Sequence, residues 1–220
     1  MRNSLNQGLE QLNNDLIEMG TLIEIAIDRA ITALKTQDTE LAITVRKYQK
    51  QVNDMEREIE ATSLKILLSQ QPVARDLRLI STALKLITDM ERIADQALNI
   101  SEITLQVAGK TFIKNPDFLV TMAAKTVTMV NSSIDSFINR DKDLAEKVIA
   151  SDDEVDELFV AVRDDLISLI NEDKRNGEQA IDFIMIAKYL ERIADHAVNI
   201  SEWVIFYITG EHKDYSESEI

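Results

Sequence analysis

The segment ERIADQALNISE at residues 91–102 returns as ERIADHAVNISE at residues 191–202, 100 positions later in the chain. The two copies are identical at 10 of 12 positions. Apolar residues recur at intervals of three and four through both copies, which is the spacing of one face of an α-helix. Repetition at a fixed distance indicates an internally duplicated chain. The sequence therefore predicts two similar halves, with one copy of this segment in a helix of each.

Apolar residues recur at helical spacing along most of the chain, while turn-forming residues are few, with 5 Gly and 2 Pro. Pro72 and Pro116 each suit the first turn of a helix, and Gly109 suits the residue that follows a helix. These positions, together with the polar turns between apolar stretches, predict six long helices. Their approximate bounds are residues 4–34, 39–69, 72–107, 116–138, 143–170 and 178–210.

Three predicted helices lie before Gly109 and three lie after it, which indicates an all-α fold of two tandem, similar three-helix bundles. Each copy of the repeated segment then lies midway along the last helix of its bundle. We assign residues 1–110 to the first bundle, residues 111–210 to the second and residues 211–220 to an acidic tail.

Composition excludes several classes of protein. A net charge of −15 would repel the phosphate backbone of a nucleic acid, so no nucleic-acid partner is expected. The chain has no cysteine, which excludes disulfides, thiolate metal sites and cysteine nucleophiles. It has neither a signal-peptide pattern nor an apolar run near the roughly 18 residues of a membrane span, so we expect a cytoplasmic protein without membrane insertion. Its scattered glycines form no phosphate-binding loop, and nothing indicates an enzyme.

Pairs of acidic residues interrupt the apolar face of the predicted helices at the same point in both copies of the repeat. Carboxylates four residues apart lie on one face of a helix. A further pair with this spacing occurs on the fifth predicted helix, and antiparallel packing of the fifth and sixth helices would gather four carboxylates in the second half. The acids concerned are Glu91 and Asp95, Glu191 and Asp195, and Asp152 and Asp156.

Three interpretations of these acids remain open from the sequence. They could lie at a solvated seam beside Arg92 or Arg192, or form a buried ion-pair network that fixes the register of the helices. They could also bind a metal ion, because a cation offsets the mutual repulsion of gathered carboxylates. Oxygen ligands favour magnesium, manganese, calcium or iron. No Glu is followed by His three residues later, as di-iron bundles require, and His196 is expected to support the site or face solvent.

The first half offers weaker ligands. When the repeats are aligned, Gln49 and Asn53 take the places of the second half's Asp152 and Asp156. A first-half site could instead use Glu56 together with Asn53 and the two acids of the repeated segment. We therefore expect the second half to hold the better metal site.

The doubled ERIAD segment, the stretch QQPVARDLRLI at residues 70–80 and the chain length resemble the PhoU family. The resemblance spans nearly the whole chain. It implies two three-helix bundles, a cytoplasmic location, frequent homodimers and a non-enzymatic role. It further implies an adaptor between a phosphate ABC transporter, through its ATPase subunit, and a phosphate-sensing histidine kinase. Such an adaptor would damp phosphate uptake and phosphate-starvation signalling when phosphate is sufficient.

The resemblance also implies metal sites built from acidic pairs on two helices of each repeat. Carried over by position, the ligands to iron or another hard cation would be the six acids named above, and the family pattern is incomplete at Gln49 and Asn53. A carboxylate-ligated metal store or oxidase, and a helical scaffold without metal, are the competing functions. Arg75 and Arg78 are candidate partner contacts in an otherwise acidic protein, or else ordinary exposed ion-pair partners.

Overall fold

The computed structural model describes residues 2–70 and 72–211. A short 3-10 helix at Lys174–Asn176 leads into the last α-helix, and no β-strand occurs within these residues. The predicted all-α fold with six long helices is confirmed. The predicted acidic tail lies outside the described residues, except for Glu211. The α-helices are α1 Arg2–Thr36, α2 Thr39–Gln70, α3 Ala74–Val107, α4 Asp117–Asn139, α5 Lys142–Ala150, α6 Asp152–Glu172 and α7 Gly177–Thr209.

The fifth predicted helix is divided into α5 and α6, which differs from the single helix expected at residues 143–170. Ser151 ends α5, where its backbone N–H and its hydroxyl both donate to the carbonyl oxygen of Lys147, at 3.0 and 2.7 Å. The next three residues, Asp152, Asp153 and Glu154, form the acidic first turn of α6. Negative side chains are favoured there by the partial positive charge of a helix N-terminus. Asp152 therefore begins a helix, and its position is set by this break.

The connection between the first two helices of each half, α1–α2 and α4–α5, has the same structure in both halves. Gln37 after α1 and Arg140 after α4 both adopt a left-handed backbone conformation with φ of 55°. The next residues, Asp38 and Asp141, cap α2 and α5, each accepting a hydrogen bond of 2.9 Å from the backbone N–H three residues further on. The duplication therefore includes this turn as well as the helix segment from which it was inferred.

The helices of each half pack together, and the halves then pack along each other. In the first half α1, α2 and α3 are mutual neighbours, while in the second half α7 contacts α4, α5 and α6. The halves meet where α3 packs along α7 and α1 packs against α4. The helices α3 and α7 are antiparallel, since Lys85 lies over the ring of Trp203 and Lys110 pairs with Glu178. One continuous core of buried apolar side chains spans both halves.

None of the helices formed by residues 2–70 and 72–211 has the length and apolar character needed to cross a membrane. This finding agrees with the sequence, in which charged residues interrupt every apolar stretch.

Candidate functional site

The structure brings the four predicted acids of the second half together between α6 and α7. The charge of Asp152 interacts with the charges of Asp156, Asp195 and Glu191. Glu191 exposes only 13% of its side chain and Asp152 is half-buried, whereas Asp156 and Asp195 are exposed. The acids therefore lie at a partly solvated seam between two helices, and not in the interior of the bundle. We call these four residues the second-half cluster.

The second-half cluster carries an electrostatic cost. Burial, followed by the charges of Asp156, Asp195 and Glu191, raises the pKa of Asp152 from 3.8 to about 6. Partial desolvation and the charge of Glu191 also raise the pKa of Asp195, although Lys188 opposes this shift. Neither Oδ1 of Asp152 nor Oε2 of Glu191 has a hydrogen-bond partner among the described residues, and both atoms are buried. Two acceptor atoms thus face the seam without the donor or cation that buried oxygens normally have.

Lys188 neutralises part of this charge. Its Nζ lies 2.5 Å from Oε1 of Glu191 and 5.5 Å from the centre of the Phe159 ring. Arg192, which the sequence offered as a partner for the acids, is exposed and forms no ion pair with the described residues. One lysine against four carboxylates leaves the cluster negative. A depression of 600 Å³ opens beside it, with Asp152, Asp195 and other polar side chains in its lining.

The corresponding first-half cluster consists of Glu56, Glu91 and Asp95, with the side chain of Gln49 beside them. Gln49 Nε2 donates a hydrogen bond of 3.0 Å to Oδ1 of Asp95. Arg92 Nε lies 3.5 Å from Oε2 of Glu91, and its Nη1 lies 4.0 Å from Oδ2 of Asp95. An amide and a guanidinium group therefore satisfy the two acids of the repeated segment.

Glu56 lies in the first-half cluster, in agreement with the alternative first-half site that the sequence suggested. Burial is the main cause that raises the pKa of both Glu56 and Glu91, and the charge of Asp95 adds to both shifts. Oδ1 of Asn53, which the alternative first-half site also included, is buried and without a hydrogen-bond partner among the described residues. The first half thus gathers three carboxylates, which is a less negative set than the four of the second half.

The described residues contain no group of three His, Asp or Glu side chains placed to hold a metal ion as they stand. The donor set of the second-half cluster nevertheless fits a hard cation in its chemistry, because all four side chains are carboxylates and two of their oxygens are buried without partners. To complete a coordination shell the carboxylates must move closer together, and Glu191 must exchange its contact with Lys188 for the ion.

His196 links the two halves of the molecule and pairs with an acid outside the second-half cluster. Its Nδ1 lies 2.8 Å from Oδ1 of Asp89 on α3, and Asn199 Nδ2 donates to the same oxygen at 3.2 Å. The sequence did not predict this contact, because Asp89 lies 107 residues away from His196 and no motif around Asp89 indicates the pairing.

Residues 16–104 and residues 119–204 each match the PhoU domain, and the two matches together account for most of the chain. This chain belongs to the PhoU family. The resemblance drawn from the repeated segment is therefore confirmed, and the two PhoU domains coincide with α1–α3 and with α4–α7 for most of their length.

Individual PhoU-family proteins match along nearly their full length. The chain is 34% identical to the phosphate-specific transport system accessory protein PhoU homolog of Clostridium acetobutylicum, over 95% of this chain and 96% of that protein. It is 38% identical to the protein of the same name from Aquifex aeolicus, over 92% of each. The crystal structure of PhoU from Pseudomonas aeruginosa superposes with a TM-score of 0.90 at 34% identity, over 94% of this chain and 99% of that one.

Proposed function

We propose that this PhoU-family chain is an accessory regulator of phosphate transport. The observation that carries the proposal is the extent of the similarity to proteins named phosphate-specific transport system accessory proteins, which runs through both halves in the same order. A shared domain in an unrelated context would match over one part only. A match over both repeats and the contact between them supports a shared role.

The role we propose is that of a non-enzymatic adaptor between the ATPase subunit of a phosphate ABC transporter and a phosphate-sensing histidine kinase. When phosphate is plentiful, the adaptor lowers both phosphate uptake and the expression of phosphate-starvation genes. We place it in the cytoplasm, as a homodimer. These finer statements extend the family resemblance to this chain.

A docking surface for such an adaptor lies around the turn between α2 and α3. Four apolar side chains near this turn are exposed: Leu64, Leu68, Val73 and Leu77. Leu68 is 87% exposed and Val73 is 72% exposed, which is a large apolar area to leave in water. Grouped exposed apolar residues typically mark a protein–protein contact. We therefore assign partner docking to this turn.

The test is deletion of the gene in its native host, followed by complementation in high-phosphate medium. Deletion should raise phosphate uptake and starvation-gene expression, and the wild-type gene should restore both. Leu68→Asp should fail to restore them, whereas Ile43→Asp, which changes another exposed apolar residue of α2, should succeed. A deletion strain with normal uptake and normal expression would refute the proposed role. Restoration by Leu68→Asp would refute the docking surface alone.

We also propose that the second-half cluster binds a hard cation, with iron, magnesium, manganese and calcium as candidates. The unpartnered oxygens of Asp152 and Glu191 support this second candidate function. The bound ion would neutralise the seam and hold α6 against α7. Elemental analysis of the purified protein, repeated on Asp152→Asn combined with Glu191→Gln, tests the proposal. Identical metal content in both proteins would rule it out.

The alternative of a metal store or oxidase makes a different prediction. A ferrous oxidase would consume Fe²⁺ in air faster than the same double variant does, and a store would take up many ions per chain. We expect neither, because the described residues bring only carboxylates to the cluster and the imidazole of His196 is paired with Asp89.

A further inference from the structure

A second polar site lies apart from the acidic clusters, at the end of the molecule where α1, α3, α4 and α7 meet. It is a cavity of 230 Å³. Liquid water occupies about 30 Å³ per molecule, so the cavity has room for a small polyatomic ion with a few waters. It is smaller than the roughly 300–1,000 Å³ of most organic-ligand pockets. Its polar lining includes Glu10, Asn13, Arg75, Asp76, Arg140 and Tyr207.

Two guanidinium groups line this cavity, and the charge of a third, that of Arg78, acts on its Tyr207. Arg75 and Arg140 line it, and the guanidinium carbon of Arg140 lies 5.6 Å from the ring centre of Tyr207. Arg78 extends to the end of α7, where its Nη1 lies 2.8 Å from the position that a Cβ atom on Gly210 would occupy. None of the three forms an ion pair with a carboxylate of the described residues. In a chain with a net charge of −15, this concentration of unpaired positive charge indicates an anionic ligand.

Tyr207 supplies a buried hydroxyl group to the same cavity. The residue is 3% exposed, and its hydroxyl, which lies near the Arg75 guanidinium, has no acceptor among the described residues. Nε of Arg78 is buried and unpartnered as well. Burial raises the pKa of Tyr207, so the hydroxyl remains protonated and able to donate a hydrogen bond. Two buried donors without acceptors are costly unless a ligand accepts from them.

The N-terminus of α3 adds to the positive potential. Val73 precedes this helix of 34 residues and provides no side-chain cap, and the first turn contributes Arg75 and Asp76 to the cavity. The backbone N–H of Asp76 already donates to the carbonyl oxygen of Val73 at 2.8 Å, and the partial positive charge at the start of this long helix still favours a bound anion.

The two carboxylates in the lining restrict the choice of anion. Glu10 and Asp76 accept hydrogen bonds but cannot donate them when ionised, so they repel an anion that has no proton. At neutral pH inorganic phosphate keeps at least one P–OH group, which can donate to such a carboxylate, whereas sulfate has none. We propose that this cavity binds inorganic phosphate, with Arg75, Arg140 and Tyr207 as donors and Asp76 or Glu10 as the acceptor. The choice of phosphate as the physiological ligand rests on the proposed function.

The test is equilibrium dialysis of the full chain against radiolabelled phosphate at fixed ionic strength, after treatment with a chelator so that phosphate held by a metal ion is not counted. We expect one phosphate per chain. Arg75→Gln should weaken binding by about tenfold or more, since a charge-assisted contact is lost. Tyr207→Phe, which keeps the ring and removes only the hydroxyl, should weaken it by about tenfold. Arg163→Gln, an exposed arginine of α6, should bind as the wild type does.

Competition with sulfate tests the role of the carboxylates. Sulfate should compete poorly with phosphate in the wild type, and Asp76→Asn combined with Glu10→Gln should remove this preference. Circular dichroism of each variant establishes that it is folded. The inference is overturned if the wild type shows no saturable phosphate binding, if Arg75→Gln and Tyr207→Phe both bind normally, or if sulfate competes as well as phosphate does. Absence of binding together with a clear deletion phenotype would overturn this site and leave the proposed function standing.

Discussion

The two acidic clusters share a helix segment and differ in the helix that packs against it. In the first half, Gln49 of α2 donates a hydrogen bond to Asp95. In the second half the matching residue is Asp152, which has no proton to donate when ionised and carries a raised pKa of about 6. Two changes on the neighbouring helix, Asp152 in place of Gln49 and Asp156 in place of Asn53, thus remove the donor to the repeated segment and add two carboxylates to the cluster.

The cations near the clusters differ in the same way. Arg92 lies beside both acids of its own segment, whereas Lys188 contacts Glu191 from one turn earlier and lies over Phe159. Phe159 in turn occupies the place that Glu56 takes in the first half. The duplicated segment therefore fixes where the acids lie, and its neighbours decide how far the side chains of the protein neutralise those acids.

The largest expected effect is on cation affinity. Asp152→Asn combined with Glu191→Gln should lower the affinity for Mn²⁺ by at least about 100-fold, because loss of even one outer-shell partner at a metal site typically costs about 10–100-fold. Glu91→Gln combined with Asp95→Asn, the matched pair of the first half, should change the affinity of the tightest site by less than about threefold by the same reasoning. Titration calorimetry measures both. Equal losses in the two double variants would show that the clusters do not differ as described.

A smaller effect should follow when the first half is converted to the pattern of the second. Gln49→Asp combined with Asn53→Asp removes the hydrogen bond to Asp95 and adds two carboxylates, so the free energy of unfolding should fall by about 2 kcal/mol without metal. Added Mn²⁺ should recover most of this loss, as measured by urea denaturation with and without the ion. Gln49→Asn combined with Asn53→Gln is the control, and it should gain nothing from Mn²⁺.

The pH dependence of stability isolates Asp152. Its pKa is higher in the folded protein, at about 6, than the unperturbed value of 3.8, so the folded state binds this proton more tightly. The resulting stability is present at low pH and is lost as the pH rises through 6. In chelator, Asp152→Asn should therefore exceed the wild type by about 1 kcal/mol at pH 7, after allowance for solvent screening, and match it near pH 4. A difference that grows as the pH falls would contradict this origin of the strain.

The smallest effect concerns the hydrogen bond that Gln49 donates to Asp95 in the first-half cluster. Gln49→Leu leaves Oδ1 of Asp95 without its donor, which should cost about 1 kcal/mol of the free energy of unfolding. In the double variant Gln49→Leu/Asp95→Leu the carboxylate is removed as well, so stability should return close to that of the wild type. If the single variant is as stable as the wild type, the amide does not satisfy the cluster, and the contrast between the halves disappears.

The fold could be predicted largely from the sequence, because long helices reveal themselves by apolar spacing and the repeat reveals the duplication. The break at Ser151 could not, since the apolar spacing continues across it from Val148 to Val155. The grouping of the second-half acids followed from two pairs spaced by four residues on neighbouring helices. Their position at a partly exposed seam did not, because it depends on how deeply α6 packs onto α7.

The contacts between distant parts of the chain could not be predicted from the sequence. Nothing near Asp89 signals its pairing with His196, and nothing near Arg140 signals its approach to Tyr207. The sequence indicated that Arg75 and Arg78, at the start of α3, could contact a partner. The cavity that Arg75 lines together with the end of α7 could not be predicted, because it depends on the antiparallel packing of α3 along α7. Such sites depend on tertiary structure, whereas the clusters depend mainly on local spacing.

Anomalous diffraction from crystals grown with Mn²⁺ tests the contrast between the halves most directly, because it locates the ion. We expect the strongest manganese peak between α6 and α7, in contact with Asp152 and Glu191, and a weaker peak or none beside Glu91 and Asp95. A strongest peak in the first half, or no manganese peak at the second-half cluster, would contradict this expectation.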